Sequence, residues 1–299
     1  MLWAVRIPTR GSSPDMMPIQ FLQPILLVSA IIALLAPIPR GAGLGLLVAS
    51  YGVAFLTGQL GSPSLITVAL LLLAAYAVSA RHSNPARYLG HGLFLGLTIA
   101  LSLHWMPGFN NWRLIGPERL TPDAVPFTMY LNLDKPLSGL WLLLVLPWLR
   151  PRYTLGQLPI GLAGAGVAVL LSLPVALDAG ITAWSPKWPA SSGLWLANNL
   201  LIVTAMEEVV FRGYIQCGLS HCLRGWRHGG WIALVLSSAV FGMAHFAGGW
   251  PWVLLAGLAG LAYGCAFRFG GLPAAIIAHF GLNAAHFFLF VYPMLQAGT

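Results

Sequence analysis

Three charged side chains lie close together in an otherwise apolar stretch of the sequence. Glu207, Glu208 and Arg212 fall within about one and a half helical turns. Each charge at the centre of a bilayer costs roughly 2.5 to 3.5 kcal/mol, so the cluster indicates a functional site. Glu208 and Arg212 are spaced to pair on one helix face, which leaves Glu207 unpaired and, when ionised in a buried place, a strong base. The alternative is an ion pair that only fixes helix packing.

The composition excludes a soluble globular protein. Of 299 residues, 58% are hydrophobic and only 7% are charged, and the mean hydropathy is +0.80. Nearly continuous apolar runs, such as 65–78, favour helices over the alternating strands of a barrel. We therefore predict an all-α fold, a polytopic transmembrane helix bundle. Its expected location is a bacterial inner membrane, in which it would be an integral, multi-pass protein.

The net charge of +8 comes from arginines and lysines that lie mostly in short loops. Such loops orient a membrane protein and contact anionic lipid, so the bilayer is an expected partner and nucleic acid is not. Three cysteines without CxxC spacing predict neither a disulfide framework nor a thiolate zinc site, and we interpret them as packing residues.

Ten hydrophobic segments set the expected number of spans at about eight to ten. They are 21–39, 41–58, 64–80, 88–105, 137–149, 158–177, 193–217, 230–249, 251–268 and 272–294. We divide the chain into a polar N-terminal segment (1–20, with a possible start at Met16 or Met17), variable transmembrane helices (21–190) and a catalytic transmembrane core (191–299). The loop 107–136 is expected to lie at the membrane interface.

Two further polar clusters lie downstream of the carboxylates. Phe241 and His245 are four residues apart, near the end of one hydrophobic segment. His279, Asn283 and His286 follow the spacing i, i+4, i+7 and are expected to share one face of another helix.

A lone histidine in a membrane helix usually forms a packing hydrogen bond. We interpret His91, His104 and His286 in this way. His245 and His279 differ because each has a partner one turn away on its own helix, and each is expected at a depth similar to that of Glu207.

These motifs together resemble the CPBP intramembrane proteases. The segments that carry the resemblance are EEVVFRG at 207–213, FGMAH at 241–245 and HFGLN at 279–283, in this order and in separate hydrophobic helices. The family includes the CAAX prenyl endopeptidases and bacterial bacteriocin-processing and immunity proteins. The resemblance extends from about Gly193 to Phe290.

The resemblance implies an endopeptidase that acts on a membrane-associated peptide or protein. Glu207 would be the general base that activates a water molecule, and His245 would hold the same water. His279 and Asn283 would donate hydrogen bonds to the oxyanion, worth roughly 3 to 4 kcal/mol per donor. The resemblance implies no cofactor.

The same resemblance gives supporting roles to Glu208, Arg212 and Phe241. The charged pair would orient the helix, and the aromatic residue belongs to the second motif.

Two alternatives remain open. Glu207, His245 and His279 could instead be zinc ligands with an activated water in the fourth position, although the chain has no HExxH sequence. The chain could also be a non-enzymatic transporter or immunity protein in which the buried charges form an ion path, although it shows no repeated halves.

Overall fold

The computed structural model describes residues 17–296 of the chain, so most of the predicted N-terminal segment 1–20 lies outside the described residues. The structure is mostly helical, as predicted. Nine helices follow one another in this described part: α1 Met17–Leu35, α2 Arg40–Leu56, α3 Ser64–Ala77, α4 Asn84–Ser102, α5 Pro136–Val145, α6 Gln157–Asp178, α7 Ser192–Cys222, α8 Gly229–Met243 and α9 Trp250–Leu289. Two strands, β1 Trp112–Glu118 and β2 Phe127–Leu131, lie between α4 and α5.

Three helices in the described range, α6, α7 and α9, are long and apolar enough to cross a membrane. The predicted count of eight to ten spans is not confirmed. The segment 137–149 forms the 10-residue helix α5, which at about 1.5 Å per residue is too short for a bilayer core. Its side chains from Pro136 to Leu143 are buried, so α5 is a core helix. Large apolar residues are exposed on the outer helices, for example Leu72 on α3 and Leu170 on α6, as expected of a surface that faces lipid.

The helix α9 contains two of the predicted segments. Its helical geometry is interrupted at Gly271, where φ is 72° and ψ is −168°. Glycine adopts this backbone conformation without the steric cost of a Cβ atom, and Pro273 follows it as the start of the next run.

The predicted interfacial loop 107–136 contains an antiparallel hairpin, which the sequence analysis did not predict. Trp112 pairs with Leu131 and Glu118 pairs with Phe127, with an irregular register between them. The buried face of this hairpin packs against Trp195 at the start of α7 and Phe287 near the end of α9. The hairpin therefore covers one end of the C-terminal helices.

The helix α7 is not a regular α-helix. Two π-helical stretches, Asn198–Thr204 and Val209–Gln216, flank a short α-helical turn, Ala205–Glu208. In a π-helix each N–H bonds to the carbonyl five residues earlier, and such stretches are frequent at functional sites. The two glutamates thus lie between two π-helical stretches.

Candidate active site

A buried group of three ionisable side chains connects α7 to α9. Arg212 Nε lies 3.3 Å from Glu208 Oε2, with both side chains fully buried, so the pair predicted from the spacing is present. The contact is an ion pair without the alignment of a hydrogen bond. The His279 Nδ1–H donates to Glu208 Oε1 at 2.9 Å. One carboxylate therefore holds a cation on its own helix and an imidazole on another.

Arg212 has further partners around the guanidinium. Its Nη2 donates to the carbonyl of Gly260 at 3.1 Å, and the guanidinium lies over the Phe241 ring at 4.8 Å. A hydrogen bond to a backbone carbonyl and a cation–π contact both lower the cost of burying this charge.

The two residues of the second motif, Phe241 and His245, are joined by a hydrogen bond at the end of α8. His245 lies just after the last residue of this helix, and its Nδ1 is 2.9 Å from the carbonyl oxygen of Phe241. The last carbonyls of a helix have no partner within it, so a histidine four residues on can satisfy one of them. Since a carbonyl only accepts, the proton is on Nδ1 and the lone pair of neutral His245 is on Nε2.

The third motif is held by a residue that the sequence analysis did not single out. Asn283 Nδ2 donates to Asn199 Oδ1 at 3.2 Å, and the Thr204 hydroxyl donates to the same oxygen at 3.2 Å. Asn199 and Thr204 are five residues apart, the spacing of one π-helical turn. The π-helical stretch of α7 therefore fixes the amide of Asn283, which keeps a second N–H for another acceptor.

His245, His279 and Asn283 line one cavity of about 110 Å³. One water molecule needs roughly 10 to 15 Å³ of such volume, so there is room for several. The other side chains of the cavity wall are mostly apolar and come from α6, the loop after it, the end of α8 and both halves of α9. The spacing also predicted that His279, Asn283 and His286 share a helix face, and all three line this cavity.

Glu207 is not among the residues of the cavity wall. Its side chain is half-buried, and no residue between 17 and 296 forms an ion pair or hydrogen bond with it. Its charge does interact with Tyr263, which lines the cavity. Glu207 is thus an unpaired carboxylate next to a wall residue.

The zinc alternative would require Glu207, His245 and His279 to converge on one ion. Across residues 17–296, no three His, Cys, Asp or Glu side chains are grouped so that they could hold a metal ion. The Nδ1–H of His279 is held by Glu208, which leaves Nε2 as its free ring nitrogen.

The three histidines interpreted as packing residues differ in their surroundings. His91 Nδ1 lies 2.9 Å from the Tyr214 hydroxyl and joins α4 to α7, as expected of a packing hydrogen bond. His104 lies after the end of α4, is exposed, and binds the buried Asp134. We expected it inside a membrane helix, and this expectation was wrong. His286 contacts Tyr292 and the backbone of Val291.

Sequence reasoning missed Asn199 and Tyr263. Asn199 could have been found by the rule that singled out the glutamates, since adjacent amides at 198 and 199 are costly in an apolar run. Tyr263 gave no such signal because tyrosine is common in membrane helices. Its ring stacks on His279 with centroids 4.5 Å apart and planes at 13°.

Comparison with known proteins gives one match. Residues 189–285 match the family model described as type II CAAX prenyl endopeptidase, Rce1-like. No curated protein and no solved structure matches the chain significantly. The matched range coincides closely with the segment 193–290 in which the motifs were found, and it contains every residue of the three motifs. The C-terminal third of this chain is therefore similar to the type II CAAX prenyl endopeptidase, Rce1-like family.

Proposed function

We propose that this protein is an intramembrane endopeptidase that hydrolyses a peptide bond of a membrane-associated peptide or protein, with water as the nucleophile. The proposal rests on one observation above all. His245, His279 and Asn283, which come from two separate motifs, line one cavity beside the helix that carries Glu207. The match to the family model of a CAAX prenyl endopeptidase supports peptide-bond hydrolysis as the reaction.

Water is favoured as the nucleophile because the serine and threonine hydroxyls of the cavity wall are otherwise engaged. The Thr182 hydroxyl donates to the carbonyl of Val291 at 2.8 Å, and the Ser172 hydroxyl donates to that of Leu255 at 3.3 Å. Neither is activated by a histidine, as a covalent mechanism would require.

In this proposal Glu207 is the general base and His245 holds the attacking water. Glu207 is free of the ion pair that occupies Glu208, so its carboxylate can take a proton. His245 presents the Nε2 lone pair on the cavity side of a ring that is fixed by Phe241. Asn283 donates its second N–H to the oxyanion, and His279 would donate there through Nε2 whenever that nitrogen carries a proton.

The test compares membranes of cells that express wild-type protein, Glu207→Gln or Glu118→Gln. Peptide termini are identified by mass spectrometry in each sample. We expect new termini with wild type and with Glu118→Gln, whose carboxylate lies in the hairpin, and none with Glu207→Gln. Equal termini with wild type and Glu207→Gln would contradict the proposal. We expect the same termini after exhaustive chelation.

A further inference from the structure

Tyr263 lies at the centre of the candidate site, although it belongs to none of the three motifs. Its side chain is 1% exposed and lines the cavity together with His245, His279 and Asn283. The ring is stacked flat on His279. This stacking fixes the ring and leaves the hydroxyl as its one polar group.

The hydroxyl of Tyr263 has no hydrogen-bond partner anywhere in the part of the chain that the structure describes. Other unpartnered hydroxyls there, such as those of Thr67 and Ser138, are fully enclosed by protein, whereas that of Tyr263 is not. A buried tyrosine hydroxyl usually finds a partner. A donor in a cavity wall without a protein partner is available to a bound molecule.

Glu208, Arg212 and Glu207 are all near enough for their charges to act on Tyr263. A tyrosine hydroxyl in its neutral form can donate a hydrogen bond to a bound molecule.

The other candidate donors to the oxyanion, His279 and Asn283, have few N–H groups left to offer. His279 uses its Nδ1–H for Glu208, so in its neutral form Nε2 carries a lone pair and cannot donate. Asn283 offers one remaining N–H because the other binds Asn199. Oxyanion sites in proteins commonly combine two or more preorganised donors.

We propose that Tyr263 is a further catalytic residue, whose hydroxyl donates a hydrogen bond to the oxyanion that forms when water attacks the substrate carbonyl. The inference rests on the proposed endopeptidase function and adds a donor to it. No proton is transferred by Tyr263, which donates the same hydrogen bond throughout the reaction.

Tyr263→Phe is the decisive variant because it keeps the stacked ring and removes only the hydroxyl. The probe is a synthetic peptide that spans the bond cleaved fastest by wild type in the membrane experiment, assayed with purified protein in lipid nanodiscs. We expect kcat to fall about 100-fold with KM nearly unchanged. The melting temperature should not fall, since the hydroxyl has no protein partner to lose.

Tyr214→Phe is the matched control, since it removes a hydroxyl that binds His91 away from the cavity. It should keep the wild-type kcat. A wild-type kcat for Tyr263→Phe, alongside an inactive Glu207→Gln, would overturn this inference and leave the proposed function standing. A lower melting temperature for Tyr263→Phe would also overturn it by revealing a structural partner. A fully active Glu207→Gln would instead overturn the proposed function itself.

Discussion

Phe241 contacts a residue of each motif, and this explains how short sequence signals separated along the chain form one site. Its carbonyl holds His245, its ring lies under Arg212, and the ring edge meets His279 at 5.5 Å between centroids. Glu208 joins the same group through Arg212 and His279. Loss of any member therefore removes support from the others.

The neighbouring glutamates are expected to respond differently to neutralisation. Glu208→Gln leaves Arg212 buried without its counter-charge, a change that typically costs about 3 to 5 kcal/mol. We expect low abundance and a lower melting temperature for this variant, measured on purified protein. Glu207→Gln should keep the wild-type melting temperature because Glu207 has no ion pair.

The double variant Glu208→Gln with Arg212→Met provides the control. Removal of both charges avoids an unpaired buried ion, so abundance should recover relative to Glu208→Gln alone. Equal losses in the single and double variants would show that the ion pair is not what stabilises the site.

Asn199 is expected to act as a positioning residue for Asn283. Asn199→Ala removes the acceptor of the Asn283 amide, and loss of one such hydrogen bond is worth about 0.5 to 1.5 kcal/mol. We therefore expect kcat to fall up to about tenfold with little change in KM. The neighbouring Asn198→Ala, which does not touch Asn283, should have a wild-type kcat; equal effects of both variants would argue against positioning.

At the scale of helices, two pairs of glycines that have the same spacing in the sequence differ in how closely a neighbouring helix approaches them. A Cβ atom on Gly264 would lie 2.8 Å from Leu234 Cγ and 3.1 Å from Gln216 Oε1, whereas nothing lies within 4 Å of one on Gly96. Both pairs, Gly92/Gly96 and Gly260/Gly264, have a spacing that permits close helix contact but does not require it. Only the second pair is at a tight interface, because sequence spacing does not say which face of a helix meets a neighbour.

Gly264→Ala should destabilise the contact between α7, α8 and α9. Overpacking of this kind costs typically about 1 to 3 kcal/mol, which should lower the melting temperature of purified protein by a few degrees. Gly96→Ala is the matched control and should not lower it, since the added methyl group meets no other residue. The same loss in both variants would contradict a packing origin, because helix propensity alone would favour the alanine variants.

The elements that the sequence predicted well are those with a strong local signal. Apolar runs predicted the helices. The i, i+4 spacing predicted the Glu208–Arg212 pair and the shared face of His279 and Asn283. The hairpin was missed because its strands are short and lie between prolines and glycines. The π-helical stretches were missed because no characteristic amino-acid composition distinguishes them from an α-helix.

At the scale of the whole molecule, the C-terminal segment after α9 holds a loop that lines the cavity. Its backbone N–H groups at Val291 and Leu295 donate to the carbonyls of Ala183 and Ile181, both at 2.8 Å. The adjoining residues Ile181 and Thr182 line the cavity. The same segment also bonds to residues 123–125 beside the hairpin.

Truncation after Phe290 should therefore loosen the loop 181–187 and reduce activity. The loop loses the two backbone hydrogen bonds and the acceptor of the Thr182 hydroxyl, so limited proteolysis should cut it faster than in wild type. Leu295→Ala keeps the backbone bonds and should be cut at the wild-type rate. Unchanged proteolysis of the truncated protein would contradict this role of the segment.

The position of this segment also bears on the order of events during synthesis. Translation proceeds from the N-terminus, so residues 291–296 emerge after all the helices of the described chain have been made. Until they emerge, the carbonyls of Ile181 and Ala183 lack the partners that they have in the folded protein. The wall of the cavity is thus fixed only after all the helices of the described part have been made.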